Sequence, residues 1–264
     1  MKNPLSLFDV KGKSTLITGA SGAFGRAIAI SMGAMGARLT LASGSKDELE
    51  AVAAEVREVG GTCQTVNLRP ASLEDTQAMV DAAVGAYGTV DNLVVGSGYN
   101  KAGFIHEQPV EEWQEIMDAN VKGNYLLAKA YGTYRISNGL TGGKVLMMSS
   151  VRGRHGNISG YTGYCTSKGA TNMLVTVLAT EWGRHRINVN AIAPTVFRSK
   201  LTAWMYEEGN ELGQATRKRS LARLPLGRLG EPEDFIGISL YLLSPASDFV
   251  TGQVIYVDGG FTAG

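Results

Sequence analysis

The sequence predicts a single-domain α/β fold, residues 1–264, in which a doubly wound parallel sheet of about seven strands carries helices on both faces. Seven short β-branched or aliphatic runs recur along the chain, and longer stretches of helical periodicity separate them. No Pro-rich, Ser-rich or charged linker interrupts them. Each parallel return needs a long crossover, and right-handed crossovers of this kind put helices on both faces. With 44% hydrophobic and 19% charged residues, the chain has the material for one large core.

The first strand, Leu16–Thr18, leads into helix Gly25–Met35; the second, Arg38–Ala42, into Lys46–Val59; the third, Thr62–Leu68, into Leu73–Tyr87. The fourth strand, Asn92–Val95, precedes a long helical stretch, Val110–Ile136, and the fifth, Lys144–Met148, precedes Gly160–Trp182. After the sixth strand, Asn188–Ile192, residues 199–224 are expected to form a mobile lid, with Trp204, Met205 and Tyr206 available to enclose a substrate. Helix Pro232–Leu243 and strand Gln253–Val257 complete the pattern. Ligands in such sheets bind beyond the carboxyl ends of the strands, where the strand order reverses. Functional residues are therefore expected just after strands.

The net charge of +1, with both signs interspersed, shows neither a nucleic-acid footprint nor a membrane-attracting surface, so a small-molecule partner is expected. Met1–Leu7 lacks the apolar segment of a signal peptide and no later run is long enough to span a bilayer, which predicts a cytoplasmic location. Cys63 and Cys165 have neither metal-ligand spacing nor the density of a disulfide scaffold, and they read as reduced packing residues. His106, His155 and His185 are too scattered for a metal site.

The run TLITGASGAFGRAIA, Thr15–Ala29, joins a strand to a helix through Gly19, Gly22 and Gly25. Glycine permits positive φ and close backbone approach, and a helix N-terminus offers unpaired N–H groups to a pyrophosphate. A glycine cluster alone is equally an ordinary turn. Its place after the first strand and before the first helix favours dinucleotide binding.

Tyr164 and Lys168 are four apart, on one face of a helix, where an ammonium beside a phenol is expected to pull the tyrosine pKa down. Tyr125 and Lys129 repeat the spacing mid-helix, where they read as packing and solvated surface. Ser150, directly after the fifth strand, distinguishes the first pair.

Thr18, Gly19 and Gly25 match a T-G-x-x-x-G-x-G turn, and Ser150 with Tyr164-x-x-x-Lys168 and Asn120 in MDANVKG match a catalytic set. NAIAPTVF at Asn190–Phe197, PLGRLGEPED at Pro225–Asp234 and FVTGQVIYVDGG at Phe249–Gly260 extend the match. From about Val10 to Gly264 the chain thus resembles the short-chain dehydrogenase/reductase family, most closely its gluconate 5-dehydrogenase, sugar-acid and polyol group. The resemblance implies a Rossmann fold, a homotetramer, and hydride transfer between a nicotinamide and an alcohol or ketone substrate. Ser150 would hold the substrate oxygen, Tyr164 exchange its proton, Lys168 tune the tyrosine and bind ribose, and Asn120 support a proton-relaying water chain. Cofactor contacts are implied for Gly19, Ser21, Phe24 and Gly25 in the first turn, for Ser43 after the second strand and for Asn67 and Leu68 at the end of the third. Gly96, Gly98, Pro194, Val196 and Ser199 are implied as well, together with Tyr164 and Lys168.

Three positions depart from the family pattern. Ala23 replaces a glycine, Asn67 an aspartate, and VGSG at Val95–Gly98 the usual N-N-A-G, which removes side-chain bonds that steady the sheet. The second strand ends without the acid that binds NAD ribose, in Ala42-Ser43-Gly44-Ser45-Lys46, which favours NADP over NAD. Lys101, Arg154 and His155 follow the fourth and fifth strands and are candidates to contact a carboxylate-bearing substrate. A β-ketoacyl-thioester reductase is the alternative enzyme reading, and a dinucleotide sensor without turnover is the alternative outside catalysis.

Overall fold

The computed structural model describes residues 3–264. Seven strands, β1 (Ser14–Thr18), β2 (Arg38–Ala42), β3 (Thr62–Val66), β4 (Asn92–Val95), β5 (Lys144–Met148), β6 (Asn188–Pro194) and β7 (Val254–Val257), form one parallel sheet in the order β3-β2-β1-β4-β5-β6-β7. The first crossovers are α1 (Ala23–Ala34), α2 (Lys46–Glu58) and α3 (Leu73–Tyr87). Then come α4 (Val110–Met117), α5 (Gly123–Ser137), α6 (Thr162–Trp182), α7 (Glu211–Leu221) and α8 (Ile236–Leu243). The single-domain doubly wound fold is as the sequence predicts.

Alternation along the strands divides the core into two layers. Ile17, Val94 and Leu146 face a cluster containing Ile28, Met32 and Phe235, while their neighbours Leu16, Leu93 and Val145 face one containing Met79, Leu127 and Trp182. Successive side chains of a strand point to opposite faces, so a continuous apolar run feeds both layers at once. The helix boundaries follow local chemistry. At α3, Ser72 and Asp75 form a reciprocal capping box and Gly88 ends the helix at φ 76°.

Several ends shift by one or two residues, among them β1, which starts at Ser14 rather than Leu16, α1 at Ala23 rather than Gly25, α6 at Thr162 rather than Gly160, and β6, which runs on to Pro194 rather than stopping at Ile192. Three differences have a visible local cause or form. β3 ends at Val66 rather than Leu68, because the Leu68 N–H turns back to the Val66 carbonyl at 2.9 Å. Residues 110–136 are not one regular helix, since Asp118–Lys122 form a π turn between α4 and α5. The segment 232–243 begins as a 3-10 turn, Pro232–Phe235, before α8. No helix among the described residues is long and apolar enough to cross a membrane.

Candidate active site

The sheet order reverses between β1 and β4, and the turns after these strands diverge around a cleft of about 740 Å³. Backbone packs on backbone at its floor. Gly19 has φ +63°, and a Cβ there would lie 2.5 Å from the Gly96 carbonyl; one on Gly96 would lie 2.6 Å from the Thr18 oxygen. Gly25 packs as closely on the Gly19 carbonyl. Gly22 caps α1 without a side-chain bond, so the first N–H groups of that helix are left for an anion. This glycine cradle fits a dinucleotide's pyrophosphate.

The Ser21 and Ser43 hydroxyls are 2.7 Å apart, and the Asn67 amide nitrogen donates to the Ser43 carbonyl at 2.8 Å. Asn67 thus steadies the end of β2, and its amide oxygen has no protein partner among the described residues. Leu68 and Gly98 line the same cleft. Phe24 packs on Phe235 and Phe197, with ring centroids 4.4 and 5.1 Å away. Pro194, Val196 and Ser199 do not line this cleft. Pro194 ends β6, Val196 packs with Val151 and Phe261, and Ser199 caps the short helix Lys200–Tyr206.

The sequence motifs missed two charged groups here. Arg69 lies across Gly44, where a Cβ would fall 2.8 Å from the arginine Cγ, and it has no ion pair among the described residues. Its one sequence signal is its position three residues past β3. Glu48 also lines the cleft, but it pairs with Lys200 at 2.9 Å, which holds its carboxyl below the usual range.

At the catalytic end, Asn120 is fully buried in the π turn. Its oxygen accepts from the Tyr99 N–H at 2.7 Å, and its nitrogen donates to the Tyr99 carbonyl at 2.8 Å and to the Ser167 hydroxyl at 2.9 Å. That clamp holds the loop after β4, where the departure to VGSG removed side-chain bonds. It also ties the loop to α6. A π turn presents a side chain that regular spacing would rotate elsewhere.

Lys168 is buried and donates to the Met148 carbonyl at 2.7 Å, with its nitrogen 5.6 Å from the Tyr164 ring centre. Burial pulls its pKa down to about 8. The expected depression of the tyrosine pKa by Lys168 is not what the surroundings give: burial raises it, against the lowering effect of the Ser150 hydroxyl. The physical reason is that a buried ammonium engaged by a carbonyl does little to offset the desolvation of a phenolate. Tyr164 therefore stands as the phenol, the form that donates a proton. The Ser150 hydroxyl accepts from the Arg152 N–H at 3.1 Å and donates to the Pro194 carbonyl at 3.4 Å.

Each of the three basic residues expected around the substrate has a setting of its own. Lys101 pairs with Glu112 at 2.7 Å, Arg154 is exposed, and the His155 ring stands edge-on to Phe261 at 6.2 Å. Arg152, which the sequence reading passed over, lies beside Tyr161 and Tyr164. The repeated pair Tyr125 and Lys129 is exposed on α5, as expected of solvated surface. No cluster of metal-ligating side chains exists among the described residues.

Residues 19–262 match the family model described as enoyl-(acyl carrier protein) reductase. The chain is 50% identical to an uncharacterized oxidoreductase of Mycobacterium tuberculosis over 98% of its own length and 94% of that protein's. It is 31% identical to a 2-dehydro-3-deoxy-D-gluconate 5-dehydrogenase of Dickeya dadantii, covering 98% of this chain and 99% of the relative. A short-chain type dehydrogenase/reductase from Mycobacterium marinum superimposes with TM-score 0.91 at 34% identity, over 98% of this chain and 99% of the other. A gluconate 5-dehydrogenase from Burkholderia cenocepacia, in complex with NADP and tartrate, does so with TM-score 0.90 at 26% identity, over 99% and 100%.

Proposed function

The chain belongs to the short-chain dehydrogenase/reductase family, and from that premise we propose that it interconverts a polar secondary alcohol and its ketone, with a sugar acid or polyol as substrate. The observation that carries this reading is the meeting of Ser150 and Tyr164 at the carboxyl ends of the strands, backed by the buried Lys168. When bound, a nicotinamide supplies or accepts the hydride. The Tyr164 hydroxyl donates its proton to the substrate oxygen during reduction and recovers it during oxidation. Ser150 donates a hydrogen bond to the same oxygen as charge develops there. Lys168, anchored on the Met148 carbonyl, stands beside the Tyr164 ring, and Asn120 holds the β4 loop against α6. The segment 199–224 acts as the lid, joined to α2 by the Lys200–Glu48 pair. The sugar-acid dehydrogenases among the relatives support the substrate class. The direct test is nicotinamide absorbance with a panel of sugar acids, polyols and their ketones; no turnover across the panel would refute the proposal.

NADP is the proposed cofactor. No acid closes β2, Ser43 and Ser45 line the cleft beside the unpaired Arg69, and Glu48 is engaged by Lys200. Phosphate oxygens accept charge-assisted bonds from such groups. NADP is expected to bind more tightly than NAD, and Arg69→Ala is expected to weaken NADP roughly tenfold while leaving NAD nearly unchanged, as loss of one charged hydrogen bond predicts. Dissociation constants by fluorescence titration check both. Tighter NAD binding would reverse the assignment.

Apolar side chains exposed on α6 (Met173, Val177), with Phe249 ahead of β7, support a homotetramer. Light scattering is expected to give about four times the 28.0 kDa chain mass.

A further inference from the structure

We propose that Arg152 and Arg223 form a two-guanidinium site that takes the carboxylate of the substrate and fixes the lid over the catalytic end. Arg152 sits in the turn Val151–Gly153, two residues past Ser150, and Arg223 lies just after α7. The two arise from segments 71 residues apart, by their numbering, yet they share one aromatic ring. The guanidinium carbon of Arg152 is 5.4 Å from the Phe261 ring centre and that of Arg223 is 4.0 Å from it. Their chain neighbours Val151 and Leu224 pack with Phe261 in one buried cluster, so both backbones rest on the same apolar base.

Two like charges held on one ring repel, and the ring's cation–π attraction offsets only part of that. Arg152 is half-buried, and one of its N–H groups donates to the Gly156 carbonyl. Among the described residues neither guanidinium meets a carboxylate, and none of the nine ion pairs found among them includes either. A partly desolvated cation such as Arg152, without a counter-ion, is stabilised by one that arrives with a ligand, and the exposed Arg223 stands ready to share it. Burial first, and then the charge of Arg223, weaken the hold of Arg152 on its proton; Cys165, Tyr161 and Tyr164 lie near enough to oppose this when ionised, which puts the arginine within electrostatic reach of the catalytic phenol. A carboxylate has the planar geometry to accept two parallel bonds from a guanidinium fork. One bound between the pair would hold the reacting carbon's side of a hydroxy acid towards Ser150 and Tyr164. Because Arg223 belongs to the proposed lid, the same anion joins lid to sheet. Lys101 is committed to Glu112 and does not serve this site.

The identity of the reacting alcohol rests on the dehydrogenase reading; the anion site does not. Sodium tartrate is therefore the binding probe, followed by calorimetry with NADP present and with sodium chloride at matched ionic strength as control. Wild type is expected to bind tartrate, and Arg223→Ala and Arg152→Gln each to weaken it at least tenfold, with the NADP dissociation constant unchanged. Arg223 is exposed, so its replacement leaves the core intact even if Arg152→Gln does not fold. Lys101→Ala is expected to leave tartrate binding unaltered. In kinetics, Arg223→Ala is expected to lower kcat/KM for gluconate far more than for sorbitol, its neutral analogue. Absence of tartrate binding to wild type, or equal binding by wild type and Arg223→Ala, overturns the site. Loss of tartrate binding in the variants together with no turnover of any alcohol or ketone would leave the site standing and remove the dehydrogenase reading alone.

Discussion

Tyr164→Phe is expected to lower kcat by roughly 10²–10⁴-fold, the range for loss of a positioned acid or base, while NADP binding stays within about twofold. The substitution removes one oxygen. The ring that packs edge-on to Tyr161 at 6.3 Å and lies 5.6 Å from the Lys168 nitrogen is retained, so the fold and the cleft have no reason to change. Tyr125→Phe serves as the comparison, because that exposed residue repeats the spacing to a lysine without a serine opposite. Single-turnover hydride transfer on an accepted substrate separates the two variants. Near wild-type rates in Tyr164→Phe would remove the tyrosine from the proton transfer.

Gly19→Ala is the largest structural change expected from a single methyl group. At φ +63° an alanine is strained, and its Cβ would press on the backbone of Gly96 and Ser97, at 2.5 and 2.7 Å, where no flexible side chain can swing aside. Strain and overpacking together are expected to destabilise by about 2–5 kcal/mol and to lower Tm by roughly 5–15 °C. Cofactor affinity is expected to fall as well, since the same turn forms the floor of the cleft. Gly12→Ala is the control. That glycine also has positive φ, +74°, but nothing lies within 4 Å of its added Cβ, so it bears the strain without the collision. Equal melting temperatures for the two variants would show that the close approach of the β1 and β4 turns does not matter to stability.

The sheet was legible because its strands are buried on both faces and carry little besides aliphatic residues, which leaves few alternatives for runs such as Leu93–Val95 or Val145–Met148. The Ser150, Tyr164 and Lys168 positions were legible from spacing after a strand end. The π turn was not, since nothing in the residue types of Asp118–Lys122 separates a widened turn from an α-helical one and only the backbone geometry marks it. Charge contacts were the least legible. Lys101, Arg154 and His155 stand after the right strands, but their partners are set by packing between distant segments. Arg152 differs from Arg154 by two residues, and the turn beginning at Val151 aims the first at Phe261 and the second at solvent. Arg69 and Arg223 follow no motif at all. The sign of the Tyr164 shift depends on how deeply the phenol is desolvated, which spacing does not report.

The place of β4 in the sheet governs what a partly synthesised chain can do. β4 pairs with β1, not with β3, and the Thr15↔Asn92 register joins positions 77 residues apart in numbering. On the ribosome, β1, β2 and β3 emerge first, and the inner edge of β1 stays open until residue 95 is out, so the nascent chain carries an unpaired strand edge through that interval. The glycine cradle gains Gly96 only then. Tyr164 follows some seventy residues later, and the β6 carbonyl that receives the Ser150 hydroxyl later still. A chain interrupted before residue 164 therefore holds the glycine cradle without the phenol that stands over the far end of the cleft.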